Sequence, residues 1–323
     1  MIATTTRTRS LARGVNLPLI PFLRSGGLST STAGSNNGPK SKVFVFGLAE
    51  DRNSSFLRGP ANAPPLIKAE MISDAHNNFC ELGPDVISRI EMMDDIAPEL
   101  SDSNSISRSI DLRISSILEQ KGFPLILGGD HSITYPICKT IRKYRDKPFI
   151  ILHFDAHPDL YPNFEGNLSS HASPFIRILE ERDNKNNVIC KDLYQIGIRT
   201  INDVQRQMIE FHNVRVCEAR YYPPSLAIPS IADYFRDIKS DDDVYISLDI
   251  DCLDPAFAPG VSHREPGGLT TRQLIDCIHA IPGNIIGADV VEYNPSRDFP
   301  GNYTATLAAK LVKEIAGKMI YQI

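Results

Sequence analysis

Acidic residues and histidines in this chain gather where apolar runs end, and that placement limits the possible fold more than any other feature. The run Pro124–Leu127 ends at Gly128, Gly129, Asp130, His131 and Ser132. Phe149–Leu152 runs into His153, Phe154, Asp155, Ala156, His157, Pro158 and Asp159. Val244–Leu248 runs into Asp249, Ile250, Asp251, Cys252, Leu253 and Asp254. Val43–Gly47, Leu193–Gly197 and Ile285–Ala288 are further runs, the last leading to Asp289 and Glu292. Short, continuously apolar runs are the mark of strands covered on both faces, as in a parallel sheet. Between them lie helical stripes. Ile106, Ile110, Ile114, Ile117 and Leu118 share one face ahead of Gly122, and Leu307, Leu311 and Ile315 do the same near the C-terminus. This alternation predicts an α/β fold, a three-layer doubly wound parallel sheet. No Pro/Gly-rich linker divides it, so one domain is expected over residues 41–323.

In open parallel sheets, ligands bind beyond the carboxyl ends of the strands, which is where these polar groups stand. From Asp155 to Asp159 the polar residues recur at period two, and an extended chain puts them on one face. Asp249 and Asp251 share that spacing. Four carboxylates converging in a core repel and take up protons unless cations neutralise them. Two divalent ions would do so. His131, Asp155, Asp159 and Asp249 could hold one; Asp155, His157, Asp249 and Asp251 could hold the other, with Asp155 and Asp249 shared. Oxygen ligands with a little imidazole suit Mn2+, two per subunit, better than zinc. Taken singly, each group has a bland explanation: a strand-end histidine satisfied by backbone, or aspartates that cap turns. Three such groups, each at a strand end, together favour a metal centre.

The rest of the composition narrows the class. A net charge of −5 gives no case for nucleic-acid binding, and no segment is apolar for long enough to span a membrane. The six cysteines are scattered, which argues against a disulfide framework or zinc knuckle; Cys252 reads as a small buried filler. From Met1 to Leu48 there is no Asp or Glu, while Arg7, Arg9, Arg13, Arg24, Lys40 and Lys42 carry positive charge. Residues 1–40 thus have the composition of a transit peptide, expected to direct import into the mitochondrion and to be removed between Arg24 and Thr32, with a plastid as the alternative address.

The stretches GGDHS (128–132), DAHPD (155–159), SLDIDCLDPAFAPG (247–260), EPGGLT (265–270) and DVVEYNP (289–295) resemble the ureohydrolase family of arginases, agmatinases and related guanidino hydrolases. The resemblance covers the chain after the leader. It implies an arginase-like fold on an eight-stranded parallel sheet, two manganese ions, a homo-trimer or homo-hexamer, and a small guanidino substrate that releases urea. The family's metal ligands fall on His131, Asp155, His157, Asp159, Asp249 and Asp251. His171 occupies the loop of the family's proton-shuttling histidine. Glu292 matches the glutamate that receives the guanidinium. Asp130 and Asp254 are expected to orient ligands, and Gly128 and Gly129 to let the backbone approach the ions. The stretches FEGN (164–167), SHAS (170–173) and APGVSH (258–263) look like plant-type arginases, so the expected reaction is L-arginine to L-ornithine and urea, with agmatine to putrescine and urea as the rival. Asn163, Glu165 and Asn167 are candidates for the substrate's amino-acid end. A single-zinc deacetylase of similar architecture would not need His157 and Asp251, and an inactive regulatory subunit would be expected to lose ligands.

Overall fold

Every predicted strand forms, and all belong to one parallel sheet. The computed structural model describes residues 42–83, 85–97, 105–183, 186–222 and 230–321; the expected leader and its removal site lie outside them. The strands are β1 (Val43–Gly47), β2 (Ile90–Met92), β3 (Phe123–Leu127), β4 (Phe149–Phe154), β5 (Cys190–Ile198), β6 (Arg215–Glu218), β7 (Asp243–Asp249) and β8 (Asn284–Val291). Their order across the sheet is β2-β1-β3-β8-β7-β4-β5-β6. Neither β2 nor β6 was legible as an apolar run. They are the two edge strands: β2 has no fully buried residue and β6 only Cys217, so neither needs two apolar faces.

Side chains alternate between two cores, as the pleat requires. In β1, Val43 and Val45 point to one core while Phe44 and Phe46 point to the other; in β4, Ile150, Leu152 and Phe154 oppose Phe149 and Ile151. The first core is covered by α1 (Ala63–Met71), the short α6 (Ile231–Tyr234), α7 (Thr271–His279) and α8 (Tyr303–Tyr321). The second is covered by α2 (Ser105–Glu119), α3 (Thr134–Lys143), α4 (Pro174–Glu180) and α5 (Asp203–Phe211). The helical stripes read from the sequence behave accordingly. Ile106, Ile110, Ile114 and Ile117 of α2 are buried, as are Leu311 and Ile315 of α8.

Register is what positions the polar groups. Leu127 pairs with Val290, Val290 with Leu248, and Leu248 with Phe154. These four residues form one row across the four central strands, β3-β8-β7-β4. The residues immediately beyond the row therefore emerge level with one another, above the carboxyl edge of the sheet.

The glycines after β3 serve a different purpose from the one expected. A Cβ on Gly129 would lie 1.7 Å from the carbonyl oxygen of Glu50, and one on Gly128 would press into Val291 and Ile133. Gly129 N–H donates to Leu48 O (3.0 Å) and Asp130 N–H to Glu50 O (2.8 Å). Gly129 thus lets the segments after β1 and β3 touch backbone to backbone, while Gly128 leaves room for the side chains of Val291 and Ile133. Gly129→Ala should destabilise the protein by about 1–3 kcal/mol, typical of overpacking against an unyielding neighbour. Urea unfolding would measure this; an unchanged midpoint would show that the Glu50 segment moves aside freely.

Candidate metal centre

Four neighbouring strands deliver the polar cluster. His131 follows β3, Asp155, His157 and Asp159 follow β4, Asp249 ends β7 with Asp251 just beyond, and Glu292 follows β8. All are buried except His157, which is partly so. Two of them, Asp159 (φ 51°) and Glu292 (φ 65°), have left-handed backbones that non-glycine residues seldom adopt. Such strain, on the order of 1–3 kcal/mol each, persists where the surroundings fix it. At Glu292 the backbone N–H is held by Gly129 O at 2.9 Å.

The cluster divides into two groups joined by Asp155. Around Nδ1 of His131 stand Asp155 Oδ2 and Asp159 Oδ2, both at 3.2 Å, and Asp249 Oδ2 at 3.4 Å. Although fully buried, that nitrogen has no partner of hydrogen-bonding geometry. The opposite ring nitrogen, Nε2, donates to Ser247 Oγ (2.9 Å), which in turn donates to Asp289 (2.8 Å), so the Nδ1 lone pair is the one presented to the three carboxylates. The second group comprises His157 Nδ1, with Asp155 Oδ1 at 3.2 Å and Asp251 Oδ2 at 3.1 Å. Asp249 gives Oδ2 to the first group, while its Oδ1 accepts the N–H of Asp251 at 2.7 Å.

Without cations this arrangement is electrostatically uncomfortable. Burial, followed by the charge of Asp155, pushes Asp159 up to about 6. Burial and then Asp251 and Asp155 raise Asp249 well above the carboxylate range, and burial raises Asp251 as well. Burial would raise Asp155 too, but the imidazoles of His153, His131 and His157 hold it well below its ordinary value. A buried lone pair aimed among three carboxylates, and a carboxylate shared by two imidazole-bearing groups, fit a pair of divalent cations.

The orienting residues differ from those expected. Asp130 accepts from Ser132 N–H (3.0 Å) and Asn53 N–H (3.0 Å), and thereby holds the segment after β1. Asp254 accepts from Ala256, Gly267 and Gly268 N–H and shapes its own loop. Neither has a hydrogen bond to a side chain of the cluster among the described residues. That work falls to Ser247 with Asp289, to backbone N–H groups of Ala156, His157 and Asp251, and to His153, whose Nε2 lies 2.7 Å from Asp155 Oδ2. The period-two face that carries Asp155, His157 and Asp159 extends back to His153, and that was the signal for it. Cys252 is fully buried, with a thiol pushed well up by burial, as befits a filler.

His171 and Glu292 stand together beside the cluster. His171 Nδ1 is 2.8 Å from Glu292 Oε1, which also accepts the His131 N–H at 2.9 Å. Ser55 brings its N–H (3.1 Å) and hydroxyl (2.8 Å) to His171 Nε2. Charge and geometry pull in opposite directions at this ring. Burial disfavours its charged form, but Glu292 and then Asp159 and Asp130 outweigh that and bring it up to about 9. The Ser55 N–H can donate only to an unprotonated nitrogen, so the geometry is that of a neutral ring with its hydrogen on Nδ1.

These groups open onto a cavity of about 180 Å3 lined also by Tyr161, Phe164, Thr200, Asn202, Gln205 and His263. Larger clefts of about 560 and 440 Å3 lie elsewhere, and chemistry rather than size singles out this one. Asn163, Glu165 and Asn167 are not on its wall. Asn163 accepts from Gly166 N–H, Asn167 bonds Asn53 and Ser169, and Glu165 is exposed. The same loop instead contributes Tyr161 and Phe164. His263, whose burial and position beside His171 and His157 keep it below the usual imidazole value, faces both rings at centroid distances of 5.6 and 5.7 Å.

The arginase family model matches residues 41–317. Arginase 1, mitochondrial, of Arabidopsis thaliana is 40% identical over 294 residues, covering 87% of this chain and 82% of that protein. An agmatinase of Chromobacterium violaceum is 33% identical, covering 83% of this chain and 81% of its own. The solved arginase from Medicago truncatula superposes with a TM-score of 0.76 at 36% identity, covering 87% of this chain and 88% of that one.

Ion removal has a predictable pH signature. Asp130 and Asp159 have folded values of about 7 and about 6, above their unfolded values, so each stabilises the metal-free fold at low pH and ceases to as pH rises through its folded value. Metal-free protein should therefore gain melting temperature as pH falls from about 8 to about 6.5. Added divalent cation should stabilise more at the upper end of that window, where the ligands are ionised. Equal stabilisation at both pH values would contradict the assignment of Asp159 to an ion site.

Proposed function

The chain belongs to the arginase family, and we propose that it hydrolyses L-arginine to L-ornithine and urea at a centre of two manganese ions. The observation that carries the reading is the orphaned Nδ1 of His131 framed by three carboxylates, with Glu292 and His171 at its side. His131, Asp155, Asp159 and Asp249 would hold one ion, and Asp155, His157 and Asp251 the other; Asp249, expected from the sequence to serve both, gives Oδ2 to the first group while its Oδ1 accepts the Asp251 N–H. Oxygen donors with one imidazole each suit manganese. When bound, two adjacent divalent ions supply an acidified water as nucleophile, which the resonance-stabilised guanidinium carbon requires.

The chain's own residues do the rest. Glu292 Oε1 already receives two hydrogen bonds, whereas Oε2 has no protein donor among the described residues and is available to a guanidinium N–H. The burial of Glu292 strengthens that ion pair by excluding water. His171 can give its Nδ1 hydrogen to the departing amine as the C–N bond breaks once Nε2 has taken up a proton, so that the ring acts as an imidazolium and returns to the neutral form. Ser55, which is exposed, connects the other ring nitrogen to solvent.

L-Arginine is favoured over agmatine by the greater likeness to a plant arginase than to a bacterial agmatinase. The acid-free, arginine-bearing leader supports import into the mitochondrion, with the plastid as the alternative. A homo-trimeric or homo-hexameric assembly rests on the family resemblance.

Turnover of L-arginine and agmatine by the manganese-loaded protein decides the substrate, and a preference for agmatine would replace arginine while leaving the site assignments standing. His171→Phe should lower kcat by about 10²–10⁴, the range of a lost general acid–base group, with two ions still bound by elemental analysis. Loss of metal in the same variant would show that His171 belongs to the ion site.

A further inference from the structure

His153 has the composition of a metal ligand and the geometry of something else. Fully buried, it lies close enough to His131 and Asp155 for the three to hold an ion. Its hydrogen bonds decide otherwise, beginning with Gln195 on the neighbouring strand β5. The Gln195 side-chain nitrogen is 2.6 Å from the carbonyl oxygen of Pro158, which can only accept. That contact fixes the orientation of the amide. The same nitrogen is 2.9 Å from His153 Nδ1, so its second hydrogen is donated there, and Nδ1 is an acceptor. A neutral imidazole then carries its hydrogen on Nε2, 2.7 Å from Asp155 Oδ2. Both ring nitrogens are occupied, and neither has a lone pair left for a cation. The ring is further fixed by stacking on Phe175, with centroids 3.8 Å apart.

We propose that His153, locked in one tautomer by Gln195, is a positioning residue that fixes the bridging carboxylate Asp155 from behind and is not itself an ion ligand. Asp155 is the one residue common to both groups, and both its oxygens are held. Oδ1 accepts the N–H of His157 at 2.6 Å, and Oδ2 accepts His153 Nε2–H. Rotation of the carboxylate would break both bonds at once and would disturb both groups. The inference rests on the two-cation reading above.

The test is titration of the full chain with Mn2+, measuring affinity and stoichiometry in the wild type, His153→Phe, His153→Gln and Gln195→Met. Phe fills the space and keeps the stacking but donates nothing. Gln can place an N–H close to the position of Nε2–H. His153→Phe should weaken Mn2+ binding by about 10–100-fold, the usual cost of removing such a partner, while still taking up two ions at saturation. His153→Gln should recover most of that loss, and no purely steric defect would be rescued in this way. Gln195→Met leaves the ring in place but unlocks its tautomer, and should weaken binding several-fold; it carries the test if His153→Phe does not fold. Affinity within twofold of wild type in His153→Phe, or in Gln195→Met where that carries the test, overturns the proposal. So does saturation at one ion per chain in both His153 variants, which would make His153 a ligand. A wild-type chain that takes up no more than one ion overturns the two-cation reading itself, before any variant is compared.

Discussion

Mutual repulsion among buried carboxylates governs this structure. Asp155, Asp159, Asp249 and Asp251 approach one another above the sheet edge in a place too dry to screen them. A protein can tolerate such a cluster in three ways: protonation, pairing with fixed cations, or binding of metal ions. Among the described residues, no lysine or arginine is on the wall of the cavity into which the cluster opens. The imidazoles present meet the carboxylates through nitrogens with the geometry of ligands. Against burial, the carboxylates raise His131 and His157 well above the usual imidazole value, so the chain can compensate the cluster in part by taking up protons; bound cations would replace those protons and couple the stability of the cluster to cation supply.

The sheet explains why the cluster can be so tight. Four strands end in one row, and their order makes neighbours of segments far apart in sequence: His131 after β3, Glu292 after β8, Asp249 at the end of β7 and Asp155 after β4. Parallel strands with both faces buried cannot slip by one residue without exchanging their two cores. The register that buries Phe154 and Leu248 thus also sets the spacing of Asp155 and Asp249. Hydrophobic packing below the row supplies the precision of the polar groups above it.

This division also explains what could be read from the sequence. The interior strands announced themselves as apolar runs because both faces are buried, and the candidate ligands are the residues that end them. The edge strands β2 and β6 did not, since an edge tolerates polar residues. The orienting groups were harder still. Ser247 and Asp289 sit inside strands, where a polar residue gives no hint of its partner, and the bond between them crosses from β7 to β8. Asp130 and Asp254, adjacent to ligands in sequence, turn away to hold loops. Nearness along the chain is a poor guide to hydrogen bonding at a strand end, where successive residues leave in different directions. The cavity wall depends on loops folding across from elsewhere, which is why His263 and Asn202 emerged only in three dimensions.

The same wall bears on how an amino-acid end could be recognised. With no lysine or arginine on that wall among the described residues, a carboxylate at the mouth would be read by neutral donors such as Asn202, Tyr161 and His263. Asn202 caps α5 through Oδ1, which accepts from Gln205 N–H, and its amide nitrogen lies 2.6 Å from Tyr161 Oη. Its side chain is thus held in place before any substrate arrives, which lowers the ordering cost of binding. Neutral hydrogen bonds contribute less than an ion pair, but leaving them unsatisfied is costly in a partly desolvated site. Discrimination between a substrate with a carboxylate and one without would then come from donors left unpaired by the wrong substrate, while the guanidinium end, common to both, would be bound at Glu292.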